Sequence, residues 1–170
     1  MKIEIEFFTY WHCGSGSSGG SRTDALVARD NKGLPYIPAK TIKGHIRDIA
    51  ESLNNKDFID KCFGSSDERE GRCYFSNATI KERIEDDLKS YLFTTISSTK
   101  IDDNGLADKK SLREIEVVVP LKLYAFIEFE EEVDEYKELM KQAFRQIKRI
   151  GLNRTRGLGR CEIREVKNNG

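Results

Sequence analysis

A proline-containing segment in the first third of the chain leads into a predicted helix that carries several basic residues. Residues 34–47 read Leu-Pro-Tyr-Ile-Pro-Ala-Lys-Thr-Ile-Lys-Gly-His-Ile-Arg. The prolines restrict the backbone before the helix, and the first turn of a helix offers free N–H groups to an anion. Lys40, Lys43, His45 and Arg47 lie on or near that turn, and positions 43 and 47 share one helix face. The spacing predicts a phosphate-binding site, with an ordinary surface helix as the alternative.

A loop rich in glycine and arginine near the C-terminus has the composition of a second phosphate-binding site. Residues 151–160, called here the Gly/Arg loop, read Gly-Leu-Asn-Arg-Thr-Arg-Gly-Leu-Gly-Arg. Gly157 and Gly159 would let the backbone approach a ligand closely, and Arg154, Arg156 and Arg160 suit bidentate contacts with phosphate. Every charged residue from position 141 to position 160 is basic. A phosphate-binding loop is predicted, with a purely structural turn as the alternative.

The overall charge restricts any nucleic-acid site to a local patch. Of the 170 residues 34% are charged, but 29 Lys and Arg balance 29 Asp and Glu. A globally basic nucleic-acid-binding protein is therefore not indicated. No apolar run approaches the roughly 20 residues that span a bilayer, and residues 1–6 carry acids where a signal peptide would be apolar. We expect a cytoplasmic protein that does not contact a membrane.

The four cysteines, Cys13, Cys62, Cys73 and Cys161, do not have the spacing of a zinc ribbon. None belongs to a Cys-x-x-Cys pair. His12 and three of the cysteines could in principle assemble a metal site. Free cysteine is among the most buried residue types, however, and it stays reduced in the cytosol. Buried free thiols are the prediction.

The periodicity of the apolar residues predicts an α+β fold with the element order β-α-β-β-α-β. Residues 2–8 and 121–129 alternate as strands do, and shorter strands are expected at residues 72–75 and 160–166. Helices are expected at Thr41–Leu53, with Thr41 as the N-cap, and at Asp134–Arg149. This is the order of a ferredoxin-like (RRM-like) fold. We predict a single domain over residues 1–170, with a long insertion at residues 93–113 before the third core strand.

Four segments, in order along nearly the whole chain, resemble the motifs of the RAMP superfamily, the RNA-binding proteins of CRISPR–Cas effector complexes. Residues 34–47 are similar to the family's proline motif, with Ala39 in place of the usual glycine and Ile42 in place of leucine. The other matches are Cys62-Phe63-Gly64 followed by Tyr74-Phe75-Ser76-Asn77-Ala78, then Leu112-Arg113-Glu114-Ile115-Glu116, and finally the Gly/Arg loop. Four ordered matches are much more specific than any single one.

Within the superfamily the chain resembles the repeated backbone subunit of type III CRISPR effector complexes, which polymerises along guide RNA. The resemblance implies four partners: guide (CRISPR) RNA, target RNA, further copies of the chain and other effector subunits. It also makes the insertion at 93–113 a thumb-like β-hairpin that kinks the guide–target duplex. The RNA-binding residues that we expect are Lys40, Lys43, His45, Arg47, Arg113, Arg154, Arg156, Gly157, Gly159 and Arg160.

The resemblance further implies a catalytic residue. In several such subunits an aspartate upstream of the proline motif cleaves target RNA in a metal-dependent way. Thr23–Asp30 matches the pattern x-Asp-x-x-Val-x-x-Asp, which aligns Asp24 with that residue. A carboxylate can hold Mg²⁺ at the scissile phosphate or position the 2′-hydroxyl for attack. We expect Asp24 to bind Mg²⁺ and to make the assembled complex an endoribonuclease, and we expect Asp30 to stabilise a turn.

Three alternatives stay open from the sequence. The chain could be a guide-RNA scaffold subunit without catalysis. It could be a guide-RNA-processing endonuclease of the same superfamily, with His45 or His12 as general acid and base, although such enzymes usually contain two ferredoxin-like halves. It could also be an unrelated ferredoxin-like domain that binds a small anion.

Overall fold

Alternating apolar residues make β1 a central strand of the main sheet. In the computed structural model, which describes residues 1–14, 25–65, 70–99 and 113–166, this strand spans Lys2–Phe7. Ile3, Ile5 and Phe7 are buried on one face, as their spacing predicts. Strands pair with β1 on both sides through antiparallel ladders, so its backbone polar groups are satisfied within the sheet.

The remaining elements follow β1 along the chain. They are α1 (Ala39–Ser52), α2 (Lys56–Phe63), β2 (Cys73–Phe75), β3 (Phe93–Ser98), β4 (Arg113–Val118), β5 (Lys122–Phe129), α3 (Lys137–Gln146) and β6 (Cys161–Glu165). Short 3-10 helices occur at Asp86–Leu92, Glu131–Tyr136 and Arg154–Arg156. Within the part of the chain that the structure describes, no helix has the length and apolar character needed to cross a bilayer.

The main sheet has the strand order β2-β5-β1-β6, and each neighbouring pair is antiparallel. The central strands β1 and β5 each begin a β-α-β unit, and the edge strands β2 and β6 end those units. The helices of the two units, α1 and α3, pack against each other and bury apolar stripes. This arrangement confirms the predicted α+β, ferredoxin-like fold.

The start of α1 differs from the prediction, because the helix begins two residues earlier. Thr41 lies inside the first turn, and Pro38, which has no side-chain hydrogen-bond acceptor, occupies the N-cap position. The Ala39 N–H instead donates to Oδ1 of Asn77, 2.8 Å away. A residue distant in sequence therefore satisfies a free N–H group at this helix end, which sequence spacing alone does not reveal.

The α2 helix was not predicted, although its sequence carries recognisable signals. Asn55 is its N-cap, and the Asn55 side chain accepts a hydrogen bond from the Phe58 N–H at 3.0 Å. Phe58, Cys62 and Phe63 are buried at helical spacing. The α3 helix is shorter than predicted, because the backbone is already extended one residue after Gln146.

A separate two-stranded sheet lies where the insertion is predicted. Strands β3 and β4 pair antiparallel over their full lengths, from Phe93 opposite Val118 to Ser98 opposite Arg113. Residues 100–112, which connect them, fall outside the described residues. The pairing makes the described part of the insertion two arms of a β-hairpin, and its thumb-like role stays a prediction.

Residues 9–13, called here the junction segment, continue from β1 and connect the hairpin to the main sheet. Trp11 exchanges two backbone hydrogen bonds with Val118 of β4, at 3.1 and 2.8 Å, and its Nε1 donates to the carbonyl oxygen of Val119 at 3.2 Å. The Trp11 ring is fully buried and stacks on Phe7, with ring centroids 4.6 Å apart and planes 12° apart. Trp11 is therefore a core residue that holds the hairpin in place.

The Gly/Arg loop folds back on the junction segment. The Gly159 N–H donates to the Tyr10 carbonyl oxygen (2.8 Å) and the Leu152 N–H donates to that of His12 (2.9 Å). The Ile150 N–H closes the loop by donating to the Gly159 carbonyl oxygen (2.9 Å). Gly159 has a φ of +71°, and a Cβ at this position would lie 2.0 Å from the Ile150 carbonyl oxygen. The shape of the loop therefore requires glycine at position 159.

This geometry predicts different stability losses for two glycine substitutions in one loop. Gly157→Ala places a Cβ in open space at a φ of +94°, so we expect only the penalty of a left-handed backbone, about 1–2 kcal/mol. Gly159→Ala adds a collision with backbone, so its free energy of unfolding should fall by more than that. Urea denaturation of both variants measures the difference, and equal losses would contradict the loop geometry.

Candidate nucleic-acid interface

The basic face of α1 lines an open cleft of about 460 Å³. Lys40, Lys43 and Arg47 lie along this wall, so three of the predicted RNA-binding residues share one cavity. Arg47 Nε lies 3.2 Å from Glu51 Oε1, one helical turn away. Exposed pairs of this kind are weak, so the guanidinium can exchange this partner for a phosphate.

The wall opposite α1 comes from the end of α2 and from β2. Phe63 and Gly64, the predicted Phe-Gly turn, meet Gly71 here so closely that a Cβ on Gly71 would lie 2.4 Å from the Phe63 carbonyl carbon. The Ser65 hydroxyl is buried at this wall and has no hydrogen-bond partner in the described part of the chain. Glu70, Cys73, Tyr74 and Phe75 complete the wall. Cations facing an apolar wall suit a nucleotide, which has a phosphate and an apolar ring face.

A side-chain contact joins the two predicted phosphate-binding motifs. Arg154 Nη1 in the Gly/Arg loop donates to His45 Nδ1 in α1, across 3.2 Å. Burial and the positive charge of Arg154 lower the pKa of His45, against a smaller opposing effect of Asp48. Because arginine can only donate, Nδ1 of His45 accepts this hydrogen bond, and His45 orients Arg154 rather than adding a charge of its own.

The three arginines of the Gly/Arg loop are exposed. Arg154, Arg156 and Arg160 have no acidic partner among the described residues. Gly157 is also exposed, and it leaves the surface of the loop open beside them. Gly159 is buried, and its close packing against the Ile150 carbonyl explains why this residue is glycine. The contact of Gly159 with RNA stays a prediction. Guanidinium groups without acidic partners, on a loop held by backbone hydrogen bonds, are suited to binding phosphate.

Glu116, the last residue of the predicted Leu-Arg-x-x-Glu motif, connects the hairpin to residues 25–29. Its carboxylate accepts hydrogen bonds from the Val27 N–H (3.1 Å) and from Arg29 Nη2 (2.5 Å). The Glu116 N–H donates to the Ala25 carbonyl oxygen (3.2 Å), and the Arg29 guanidinium lies 3.7 Å above the Phe93 ring. The motif glutamate therefore fixes the chain that follows Asp24 against the base of the hairpin.

Arg113 does not line the cleft. Arg113 is exposed on β4 of the hairpin. Asp24 lies outside the described residues, so its catalytic and Mg²⁺-binding roles stay predictions. Within the described ranges, no group of three His, Cys, Asp or Glu side chains is arranged to hold a metal ion. Asp30 has the turn-stabilising position expected of it, since its Oδ1 accepts hydrogen bonds from the N–H groups of Lys32 (2.8 Å) and Leu34 (2.9 Å).

The cysteines and His12 lie in the interior. All four cysteines are buried free thiols, as predicted, and burial raises the pKa of Cys13 and of Cys161 to about 12. The His12 ring is buried, and its Nδ1 donates to the Glu116 carbonyl oxygen at 2.6 Å. Cys62 and Cys73 are buried on α2 and β2, and of the four cysteines and His12 only Cys73 lines the basic cleft.

Comparisons with known proteins agree with this geometry. The sequence matches the family model of the RAMP superfamily over residues 4–162. The fold resembles a chain of the type III-B Cmr-beta cryo-EM structure in its apo state, with a TM-score of 0.79, 16% identity, and coverage of 98% of this chain and 97% of that one. For Cmr-beta bound to cognate target RNA, the TM-score is 0.74 at 16% identity, with coverage of 96% and 95%. No curated protein matches the sequence.

The family match extends over almost the whole chain and includes all four of the motifs described above. The structural likeness, at this level of identity, independently supports the fold. The chain belongs to the RAMP superfamily.

Proposed function

We propose that this chain is a guide-RNA-binding backbone subunit of a type III CRISPR effector complex. The observation that carries the proposal is the Arg154–His45 contact, which holds the Gly/Arg loop against α1, the helix that also carries Lys40, Lys43 and Arg47. Membership of the RAMP superfamily and a fold like that of a chain in a target-RNA-bound type III-B complex support it. Its partners would be guide RNA, target RNA, further copies of the chain and other effector subunits.

Phosphate contacts would supply most of the RNA affinity. The chain has no net charge, so attraction must come from local groups of basic residues, those of α1 and those of the Gly/Arg loop. Contacts of lysine and arginine with phosphate carry no sequence information, so binding would be largely independent of sequence. This property suits a subunit that has to hold any guide.

Target cleavage would depend on Asp24. The carbonyl oxygen of the next residue, Ala25, accepts a hydrogen bond from the Glu116 N–H in the hairpin, the element that we expect to contact the guide–target duplex. Mg²⁺, when bound, would stabilise charge at the scissile phosphate. A single carboxylate is a weak catalyst, so slow cleavage would follow mainly from the geometry of the kinked RNA.

A guide-processing endonuclease is less well supported than a backbone subunit. A general acid has to be protonated near neutral pH, whereas His45 has a lowered pKa and an Nδ1 occupied by Arg154. A non-catalytic scaffold has the same RNA surface and differs only at Asp24, so the cleavage experiment below separates the two.

We expect Arg154→Ala plus Arg156→Ala to weaken binding of single-stranded RNA at least tenfold, because hydrogen bonds to charged groups contribute about 1.5–3 kcal/mol each. The loss should be the same for unrelated RNA sequences. The log–log slope of affinity against salt should also become shallower by about 0.7 for each lost phosphate contact. Fluorescence anisotropy across a salt series measures both quantities.

Lys81→Ala plus Arg83→Ala is the matched control, because it removes the same charge from exposed side chains that lie outside the basic cleft. This control should bind RNA as the wild type does. Equal weakening by both double variants would indicate a general charge effect and remove the Gly/Arg loop from the site.

The Arg154–His45 contact predicts non-additive losses. His45→Leu should weaken RNA binding, and combining it with Arg154→Ala should add little to Arg154→Ala alone. His45→Asn, whose amide oxygen can accept the same hydrogen bond, should retain most of the affinity. Because burial and the charge of Arg154 lower the pKa of His45, they disfavour its protonation, and affinity should not rise as the pH falls from 7.5 to 6.5. Additive losses, or tighter binding through this pH range, would show that His45 contacts phosphate as a cation.

We expect the assembled guide-RNA complex to cut a complementary labelled RNA at regular intervals with Mg²⁺ and not with EDTA. Asp24→Ala should abolish the products while leaving target binding unchanged. Asp30→Ala is the control, because that carboxylate is engaged in its own turn. Tight target binding without cleavage by the wild type would identify a scaffold subunit.

A further inference from the structure

Two aromatic side chains that follow β1 are exposed although they adjoin the core. Phe8 is 46% exposed and Tyr10 is 43% exposed. Their neighbours in sequence, Phe7 and Trp11, are buried and stack on each other. Because the inward positions are occupied by that stacked pair, Phe8 and Tyr10 are directed to the surface by the fold itself.

Backbone and side-chain contacts fix these two aromatic residues against the Gly/Arg loop. The Phe8 N–H donates to the Arg160 carbonyl oxygen (2.9 Å), and the Tyr10 carbonyl oxygen accepts from the Gly159 N–H (2.8 Å). The Arg160 N–H donates to Thr9 Oγ1 (3.0 Å). The Arg160 guanidinium lies over the Phe8 ring, 5.9 Å from its centroid. The aromatic residues and the loop therefore form one ordered surface.

Exposed apolar side chains are concentrated at this surface. Leu152, within the loop, is 43% exposed. Together with Phe8 and Tyr10 it accounts for three of the seven large apolar side chains that are exposed in the described part of the chain. Arg160 lies at this patch, Arg154 and Arg156 belong to the same loop, and none of the three has an acidic partner in the described part of the chain. Apolar rings beside unpaired cations are complementary to a single-stranded nucleic acid, which offers base faces next to phosphates.

We propose that Phe8 and Tyr10 form a stacking platform for bases of single-stranded RNA whose phosphates are bound by the Gly/Arg loop. The inference rests on the proposed RNA-binding function and assigns the bases, as well as the phosphates, to a site. Aromatic rings stack on any base, so the platform is compatible with a guide of any sequence. Arg160 contributes a second planar group beside the Phe8 ring.

The test measures RNA affinity and its salt dependence for Phe8→Ala and Tyr10→Ala in the full chain, using a labelled single-stranded RNA of mixed sequence. Each variant should bind about tenfold more weakly, because a stacked base typically contributes that much. The log–log salt slope should stay at the wild-type value, because no phosphate contact is lost. The arginine variants of the Gly/Arg loop should instead make that slope shallower. Tyr91→Ala is the matched control, because Tyr91 is 76% exposed on a different element, and it should bind normally.

Two further measurements make the result specific to stacking. Phe8→Trp should bind RNA as tightly as the wild type, because tryptophan also provides an aromatic ring. Phe8→Leu should bind more weakly, because leucine keeps the apolar volume but has no ring. An RNA that contains 2-aminopurine should lose fluorescence on binding to the wild type and much less on binding to the double alanine variant. Thermal unfolding of all variants should stay cooperative, with at most a modest decrease in melting temperature, because the replaced rings are only partly buried.

Wild-type affinity in Phe8→Ala and Tyr10→Ala would refute the platform while leaving the phosphate-binding function intact. Unchanged RNA binding together with an altered oligomeric state in size-exclusion chromatography would assign the patch to a protein contact, which also refutes it. Absence of RNA binding by the wild type would overturn the proposed function and this inference together.

Discussion

The backbone pairing of the junction segment is the constraint on which the proposed RNA surface depends. Within residues 9–13, the carbonyl oxygens of Tyr10 and His12 accept hydrogen bonds from the Gly/Arg loop. Between them, Trp11 pairs with β4 of the hairpin. The Cys13 carbonyl oxygen in turn accepts a hydrogen bond from the Ala28 N–H. Three parts of the chain that are far apart in sequence therefore share one short extension of β1. The buried stack of Trp11 on Phe7 makes that extension continuous with the core, so movement of one part would displace the others.

In this surface, hydrogen bonds of the main chain position the loop, whereas the charged side chains are left available for a ligand. Hydrogen bonds between backbone groups and the space available to glycine determine where the Gly/Arg loop lies. The arginines that the loop carries are exposed and contribute little to its placement, apart from the Arg154 contact with His45. A chain without net charge can present basic surfaces in this way, because exposed arginines are grouped in one loop and Lys40, Lys43 and Arg47 are grouped along one face of α1.

Sequence periodicity predicted the main sheet because its strands alternate strictly between apolar and polar positions. The two phosphate-binding motifs were also recognisable, since proline, glycine and arginine restrict what a short segment can do. Three features depended on tertiary contacts and could not be read from the sequence. Asn77 caps α1 from a distant loop, the motif residue Glu116 anchors residues 25–29, and His45 is an acceptor for Arg154. The α2 helix is different, because its Asn55 cap and apolar spacing were present in the sequence and were missed.

The contact of Gly159 with the Ile150 carbonyl has a consequence for how such chains change during evolution. The path of the loop is fixed by its glycines and by hydrogen bonds of its main chain. The side chains between the glycines therefore contribute little to the stability of the fold. Under the proposed function, substitutions at the exposed positions 154–156 would therefore raise or lower affinity for RNA while the melting temperature hardly changes. In the proposed assembly of many copies on one guide RNA, a small adjustment per subunit would be multiplied along the guide. The affinity of the whole assembly for RNA would then change, by drift or by selection, through one loop without redesign of the fold.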